Sequence, residues 1–330
     1  MMSRDLGGIQ QAYIDYCDAL NMSGYKVVNI ASVAAQINDK LVPNHRLPNI
    51  ASWCILSKII LFFLHLAYKP KVVICHGNRA IQFTSLIRGK VPTVGVSHNY
   101  SYKYLKKCDY VICLTNALKA HLIEHGVGAE KLLFLPNMVR IGHKYCETTY
   151  SNPVVIGAMG RFVNKKGFVY LLEAIAELIS TGANPILLLG GDGEEKENLI
   201  KKVQELNIAN NVIFCGWVSD KEDFFSKIDI FCLPSTVEPF GIILLEAIEH
   251  SKAVIATKSG GPEDIIRDQE DGLLVEPFSG QELAVKMQKL ITNPRYANKL
   301  AKSAYDRLIS KYDIKVVSKQ LFEIIEMVAK

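Results

Sequence analysis

The stretch IDIFCLPSTVEPFGIILLEAIEH, residues 228–250, passes from a short β-branched and aromatic run into a longer apolar run. The first run is typical of a buried parallel strand, and the second has the length of a helix. Two glutamates, Glu238 and Glu246, lie eight positions apart, one in the loop and one on the helix. Pro239 disfavours helical geometry at Glu238, and Gly241 allows a close approach of the backbone to a ligand. The stretch therefore predicts a strand–loop–helix unit with two carboxylates near its turn.

The same alternation of short apolar runs and helical patterns fills most of the 330 residues. It predicts an α/β protein made of two doubly wound, Rossmann-like domains. We expect domains at residues 1–150 and 151–312, joined through the polar stretch 142–153, and a closing helix at 313–330 with an unknown docking site. The predicted strands are residues 26–32, 71–77, 93–99, 110–115, 132–137, 154–160, 186–190, 212–217, 228–235 and 253–257.

The start of the chain departs from this pattern. Gly7 and Gly8 open a helix at once, and the six residues before them are not strand-like. A doubly wound domain normally places its first strand before such a turn. The sequence therefore suggests that the first strand of the N-terminal domain is missing, or that the true start lies upstream.

Charge is distributed unevenly. The net charge is +5, but residues 1–150 carry +9 and residues 151–330 carry −4. A basic first half predicts an anionic partner there, such as an acidic lipid surface or a phosphorylated acceptor. The interleaved basic and aromatic residues of a strand-binding groove are absent, so nucleic acid is not expected.

Eight cysteines show neither C-x-x-C nor zinc-ligand spacing with histidine. Several lie inside predicted strands, in VVICHG, YVICLT, VIFCGW and IFCLPS, which indicates buried free thiols and a reducing compartment. The N-terminus lacks the apolar core of a signal peptide. Residues 52–70 are very apolar but short for a bilayer span. A core helix packed on a sheet is the favoured interpretation, and a helix on a membrane surface is the alternative.

Basic residues follow the predicted strand 154–160. Arg161, Lys165 and Lys166 precede Gly167 and a helix, and cations at this position can form an anion site. A solvated basic loop is the alternative. The turn GGDG, with Gly190, Gly191, Asp192 and Gly193, matches neither a dinucleotide fingerprint nor a P-loop.

The carboxylates and histidines allow both a functional and a structural interpretation. Glu246 lies among apolar helix residues, where a carboxylate needs partners, and two ribose hydroxyls would suit it. A glutamate on the flank of a helix is the alternative. His98 and His76 both follow strands and could bond a sugar or phosphate, although structural histidines are common there.

Together these residues resemble the retaining glycosyltransferases of family 4, which have the two-domain GT-B fold with a cleft between the domains. The resemblance is strong over residues 154–300 and looser before them. It rests on GRFVNKKGFVYLLEA, GDG, FCGWV, LPSTVEPFGIILLEA, SGGPEDII and DGLLVEP, with Glu238 and Glu246 as the E-x7-E pair.

The resemblance implies the roles of individual residues. Arg161 and Lys166 would hold the donor diphosphate, Glu238 the sugar hydroxyls and Glu246 the ribose. The remaining residues with implied roles are Phe240 and Gly241 beside the sugar, Trp217 and Val218 beside the base, Gly7 and Gly8 on the diphosphate, and His98 and Asn137 from the first domain.

The resemblance also implies a reaction without metal or other cofactor, in agreement with the lack of a D-x-D motif. Basic residues would then stabilise the leaving group. One departure is at Ser251 and Ala253, where the family usually has Gly and Pro; a serine at that helix end costs about 1 kcal/mol.

We therefore expect a glycosyltransferase that uses a UDP- or GDP-sugar and acts on a glycan or lipid-linked saccharide. Lipopolysaccharide or another envelope polysaccharide is the expected product, made in the cytoplasm with peripheral contact to an anionic membrane. Two alternatives stay open: a truncated, inactive relative that acts as a binding protein, and a sugar-nucleotide epimerase of the same fold.

Overall fold

The structure is a computed structural model that describes residues 8–33, 44–48 and 54–330. Within these ranges the chain forms twelve strands and twelve α-helices. The strands are β1 (Ile30–Ser32), β2 (His45–Leu47), β3 (Val73–His76), β4 (Thr93–Ser97), β5 (Tyr110–Cys113), β6 (Leu132–Phe134), β7 (Val155–Met159), β8 (Ile186–Gly190), β9 (Val212–Gly216), β10 (Ile230–Leu233), β11 (Ala253–Thr257) and β12 (Leu273–Val275).

The helices lie between the strands and at the ends of the described chain. They are α1 (Gly8–Met22), α2 (Ile55–Tyr68), α3 (Asn78–Phe83), α4 (Asn116–Glu124), α5 (Phe168–Ser180), α6 (Lys196–Glu205), α7 (Lys221–Ser226), α8 (Ile242–Glu249), α9 (Pro262–Ile265), α10 (Gly280–Thr292), α11 (Pro294–Lys311) and α12 (Ile314–Val328). The α/β class expected from the alternation is confirmed.

The chain folds as two compact units. The first comprises the described residues up to Arg140 together with Tyr312–Lys330, and the second is Ile141–Lys311. In the first unit, β3, β4, β5 and β6 form a parallel sheet in that order, and β1 pairs in parallel with β2. Strand β2 escaped the sequence prediction because its three residues, HRL, carry no apolar run.

The second unit is built on one six-stranded parallel sheet in the order β12-β11-β10-β7-β8-β9. The chain moves outward from β7 through β8 to β9, and then returns to the other side of β7 with β10. The strand order therefore reverses between β7 and β10. In doubly wound sheets, ligands bind outside the carboxyl ends of the strands at such a switch point.

Helices cover the second sheet and close its core. On α5 the predicted helical positions Phe168, Leu171, Leu172 and Ile175 are buried, whereas Ile179 is only partly buried. Helix α10 packs beside α5, and α11 packs beside α8. Strand β12 was missed because its three buried residues are too few for a pattern, although all lie in or beside the core.

The last helix, α12, belongs to the first unit. It packs on α1, where the ring of Tyr25 lies 5.7 Å from that of Phe322 and its hydroxyl donates to Glu326 at 2.5 Å. The docking target that the sequence left open is thus the first described helix. No strand can be assigned before α1, because residues 1–7, including Gly7, lie outside the described ranges.

Helix α2 corrects the prediction of a core helix. Only Ser57 and Leu61 are buried among its fourteen residues, and much of its apolar surface faces solvent. The sequence predicted a buried helix because α2 is apolar on both faces, and its hydropathy does not distinguish the outer face from the inner one. Among the helices that the structure describes, none has the length and hydropathy to cross a bilayer.

The cysteine prediction holds for three of the four runs. Cys75, Cys113 and Cys232 are buried free thiols on β3, β5 and β10, but Cys215 on β9 is exposed. Strand β9 points alternate side chains, Ile213 and Cys215, to solvent, which explains the exception.

Candidate active site

Two loops of the second unit meet at the switch point of its sheet. The loop after β7 carries Lys166, and the loop after β10 carries Glu238. Nζ of Lys166 lies 2.5 Å from Oε2 of Glu238, with 21% and 10% of the two side chains exposed. The ion pair therefore joins the strands between which the order reverses, where a ligand site is expected.

Glycines allow the loops to approach each other. Gly167 has φ of +64°, and a Cβ there would lie 2.0 Å from the carbonyl oxygen of Pro234. Gly191 has φ of +141°, and its Cβ would lie 1.9 Å from the carbonyl oxygen of Gly160. Side chains at either position would push the loops apart, so the close backbone contact requires glycine.

Glu238 is fixed by more than its lysine. Its side chain also accepts a hydrogen bond from Oγ of Ser235 at 3.2 Å. Its amide donates to the carbonyl of Ser259 at 3.0 Å, and its own carbonyl accepts from Gly261 N at 2.7 Å. These bonds tie the loop after β10 to the loop after β11, so the carboxylate has a defined position although it stands outside a helix.

Glu246 lies on the second turn of α8 and has a partner that the sequence did not reveal. Nζ of Lys221, at the start of α7, is 2.6 Å from both carboxylate oxygens. Only 13% of the Glu246 side chain is exposed, against 43% for Lys221. The two residues are 25 positions apart, so no spacing rule links them. The lysine compensates a carboxylate that would otherwise be buried without a partner.

The other predicted residues of the second unit differ in exposure. Arg161 directly follows Gly160 at the end of β7 and is exposed. Trp217 is 56% exposed, and Val218 packs beside Gly190. Phe240 is buried, and Gly241, with φ of +92°, begins α8.

Asp192 is a turn residue in this structure. One carboxylate oxygen accepts from Gly193 N at 2.7 Å, and the other lies 3.2 Å from Nζ of Lys196. Its carbonyl accepts from Phe162 N at 2.8 Å, which joins the glycine-rich turn to the loop after β7. The sequence allows Asp192 to be either a turn residue or a ligand contact, and these bonds show that it holds the turn.

In the first unit, His98 follows β4 and meets His76 at the end of β3. Nδ1 of His76 lies 3.0 Å from Nε2 of His98. Burial lowers the pKa of His98 to about 4 and holds the pKa of His76 well below its ordinary value, with the His98 ring adding to the effect. Both rings are therefore neutral at pH 7 and bond each other through one N–H. Tyr13 and Tyr16 contact His76 edge-on.

Two further predicted residues lie in the first unit. Asn137 is 5% exposed, and no described group donates to its buried Oδ1. Gly8 is the exposed first residue of α1. Gly7, the remaining predicted phosphate contact, lies outside the described residues.

Two clusters among the described residues have possible metal-ligand atoms within 4.8 Å of one another. Neither was predicted from the spacing of cysteines and histidines in the sequence. They are His121, Glu124 and His125 in the first unit, and His143, Glu222 and His250 in the second. In the second cluster, Glu222 lies 3.1 Å from Nε2 of each histidine. Such nitrogen and oxygen ligands suit zinc, but Glu222 already contacts both histidines of the second cluster. In the first cluster, ring nitrogens of His121 and His125 already lie within hydrogen-bond distance of backbone carbonyls.

Comparison with known proteins identifies the class of enzyme to which the second unit is similar. Residues 147–307 match the family described as Glycosyl transferases group 1. The match falls inside the second unit and includes Lys166, Glu238 and Glu246. The chain therefore carries a group 1 glycosyl transferase domain and is an enzyme of the transferase class.

Named relatives point to surface polysaccharides. The chain is 28% identical over 258 residues to the lipopolysaccharide core biosynthesis glycosyltransferase LpsE of Rhizobium meliloti, covering 76% of this chain and 74% of LpsE. It is 28% identical over 221 residues to LpsD of the same organism, covering 65% and 63%. It is 29% identical over 199 residues to the capsular polysaccharide biosynthesis glycosyltransferase CapM of Staphylococcus aureus, covering 60% of this chain and 51% of CapM.

Solved structures share the fold at low identity. Anabaena Alr3699/HepE in complex with UDP-glucose superposes with a TM-score of 0.83 at 20% identity, covering 99% of this chain and 98% of that one. The lipopolysaccharide outer core galactosyltransferase WaaB superposes with a TM-score of 0.80 at 17% identity, covering 99% and 97%. The fold is thus the GT-B fold of these glycosyltransferases, as expected.

Proposed function

We propose that this chain transfers a sugar from a nucleoside-diphosphate sugar to a hydroxyl of a glycan or lipid-linked saccharide. The observation that carries the proposal is the Lys166–Glu238 pair across the switch point of the second sheet. A cation and a carboxylate at this position match the two needs of such a donor, a diphosphate and a polyhydroxylated sugar.

The donor would be held by groups from both loops and from α8. Arg161 and Lys166 compensate the diphosphate charge, and the positive end of the α8 dipole adds to it. Glu238 accepts from sugar hydroxyls once Lys166 turns to the phosphate. Glu246 accepts from the ribose hydroxyls, and Lys221 holds its carboxylate in place.

The transfer proceeds with retention in this proposal. The bond between the anomeric carbon and the diphosphate oxygen breaks, and the acceptor oxygen bonds to the same face of that carbon. The acceptor proton passes to an oxygen of the leaving phosphate, so a protein nucleophile is not required. Arg161 and Lys166 stabilise the charge that develops on the leaving group.

The acceptor belongs to an envelope polysaccharide in this proposal, with lipopolysaccharide core as the leading case. The names of the relatives support this choice, because LpsE and LpsD act in lipopolysaccharide core biosynthesis and CapM in capsule biosynthesis. The charge of +9 over residues 1–150 suits an acceptor with phosphates or acidic sugars. The proposal includes a cytoplasmic location with peripheral contact to the inner membrane face.

Nucleotide binding tests the donor site directly. Thermal unfolding is measured with UDP, GDP, ADP and CMP for the wild type, Glu246→Ala and Glu173→Ala. Glu173 lies on α5 and pairs with Lys202 as Glu246 pairs with Lys221, which makes it a control of the same charge. We expect UDP or GDP to raise the Tm of the wild type and the control by several degrees and to leave Glu246→Ala unchanged. Equal responses in all three would remove Glu246 from the site.

Product analysis separates transfer from the alternatives. The substrates are the sugar donor of the stabilising nucleotide and a deacylated core oligosaccharide. We expect NMR to show a new glycosidic linkage with the same anomeric configuration as the donor. The product should form equally well in the presence of EDTA. Arg161→Ala should reduce turnover at least a hundredfold. Interconversion of the donor without acceptor would establish an epimerase. A folded protein without any nucleotide response would favour a binding protein.

A further inference from the structure

Helix α2 presents an apolar face to solvent. Five large side chains on it are between 41% and 64% exposed. At 100° per residue they fall within an arc of about 100° on the helix surface. These residues, called here the outer face of α2, are Ile55, Leu56, Ile59, Phe63 and Leu66.

The opposite face of α2 contacts the core of the first unit. Leu61 lies in a core cluster with Phe83 and Ile87 of the same unit, and Oγ of buried Ser57 donates to the carbonyl of Pro48. The orientation of the helix about its axis is therefore fixed. An anchored surface helix normally turns polar residues outward, and a contiguous apolar surface on it marks an interaction site.

The charge around the outer face has one sign. Residues 40–108 contain eleven lysines and arginines and no aspartate or glutamate. Lys58 flanks the arc on the helix itself, and Lys69 ends the helix. Nζ of Lys90 lies 4.5 Å from the ring centroid of Phe62, at the same edge of the arc. The apolar face is thus bordered by cations that are not neutralised by acidic neighbours in this stretch of sequence.

We propose that the outer face of α2 is a docking surface for an anionic lipid bilayer. At fourteen residues the helix is about 21 Å long, too short to span but suited to lie in the interface plane. The apolar side chains would enter the boundary between headgroups and acyl chains, and Lys58, Lys69 and Lys90 would meet acidic headgroups.

Charge favours lipid over a second copy of the chain. A two-fold dimer through this face would set the same basic segment against itself, and the like charges would repel. An anionic bilayer satisfies the apolar arc and its basic border together. The docking surface rests on the proposed function in one respect: a membrane-bound acceptor explains why the protein would contact a bilayer. Vesicle binding needs neither donor nor acceptor, so either proposal can fail alone.

Vesicle co-sedimentation tests the surface. The full chain is mixed with phosphatidylcholine vesicles with and without 30% phosphatidylglycerol. The variant is Ile59→Ser/Phe63→Ser, and the control is Val285→Ser, because Val285 on α10 is 64% exposed and Phe63 is 62% exposed. We expect the double variant to lower the partition coefficient for anionic vesicles at least tenfold, with Tm and nucleotide response unchanged. The control should bind like the wild type.

A second pair of variants tests the charge. Lys58→Gln/Lys69→Gln should bind anionic vesicles about tenfold more weakly and lose most of its salt dependence. Absence of vesicle binding by the wild type would overturn the proposal, as would equal binding by Ile59→Ser/Phe63→Ser. A wild-type dimer in light scattering that becomes monomeric in Ile59→Ser/Phe63→Ser would assign the face to a second copy instead.

Discussion

Nδ1 of His76 and Nε2 of His98 lie 3.0 Å apart, and their rings stack with centroids separated by 5.1 Å. Each histidine ends one of two adjacent parallel strands, β3 and β4. One ring donates and the other accepts, so the tautomer of one ring dictates the tautomer of the other. The Nδ1 of His98 therefore carries a proton when His76 donates, and lacks one when His98 donates.

This pair predicts an acid-sensitive fold. Burial lowers the pKa of His98 to about 4, whereas an unfolded histidine titrates near 6.5. Between these values the unfolded chain binds more protons, so the free energy of unfolding falls as pH falls through this window. We expect the Tm of the His98→Asn variant to fall less than the Tm of the wild type when the pH is lowered from 7.5 to 5. An equal loss in both proteins would show that His98 does not contribute.

The Lys166–Glu238 pair predicts strong coupling in stability. Lys166→Met would leave a nearly buried carboxylate with Ser235 as its one side-chain partner among the described residues, at a cost of about 2 kcal/mol. Glu238→Gln removes that charge. The double variant should therefore have a free energy of unfolding about 1–2 kcal/mol higher than the value expected from adding the two single-variant losses. Urea unfolding of the four proteins measures this coupling, and additive effects would contradict it.

Glycine at position 167 is predicted to be indispensable. Gly167→Ala combines a left-handed φ with a collision against Pro234 O and should destabilise by about 2–4 kcal/mol. Gly216 has nearly the same φ, +66°, but open space around it. Gly216→Ala should therefore cost only about 1 kcal/mol. Equal losses in thermal unfolding would mean that the contact with Pro234 is unimportant.

The end of α8 allows a similar matched comparison. Ser251 has φ of +61°, a left-handed conformation that glycine adopts without steric cost, and its hydroxyl accepts from Cys146 N at 3.1 Å. Ser251→Gly and Ser251→Ala both lose this bond, but only glycine relieves the backbone. We expect the glycine variant to be about 1 kcal/mol more stable than the alanine variant. A more stable alanine variant would refute this explanation.

Much of the fold was accessible from the sequence, for reasons visible in particular elements. Buried parallel strands such as β4 and β11 are continuous apolar runs, which is why all ten predicted strands exist. Strands β2 and β12 have three residues each and leave no run to detect. The outer face of α2 was not predicted because a helix that is apolar all round carries no sign of which side is covered.

The candidate site was accessible only in part. The residue types and their loop positions predict an anion site at Lys166 and a carboxylate at Glu238, each after a strand, but they do not predict that the two side chains pair. The partners of the site residues could not be predicted in this way. Lys221 reaches Glu246 from another helix, and His76 meets His98 only because β3 and β4 pair in register. The roles proposed for these residues in donor binding stay predictions until nucleotide binding is measured.

The packing of α12 on α1 has a consequence for synthesis. The second unit is one uninterrupted segment, Ile141–Lys311, whereas the first needs Tyr312–Lys330 for completion. During translation, the unit encoded later can finish folding before the unit encoded first, whose earliest helix waits for the last residues to leave the ribosome. A chain that ends at Lys311 should therefore hold a folded second unit and a first unit that is still open to proteases.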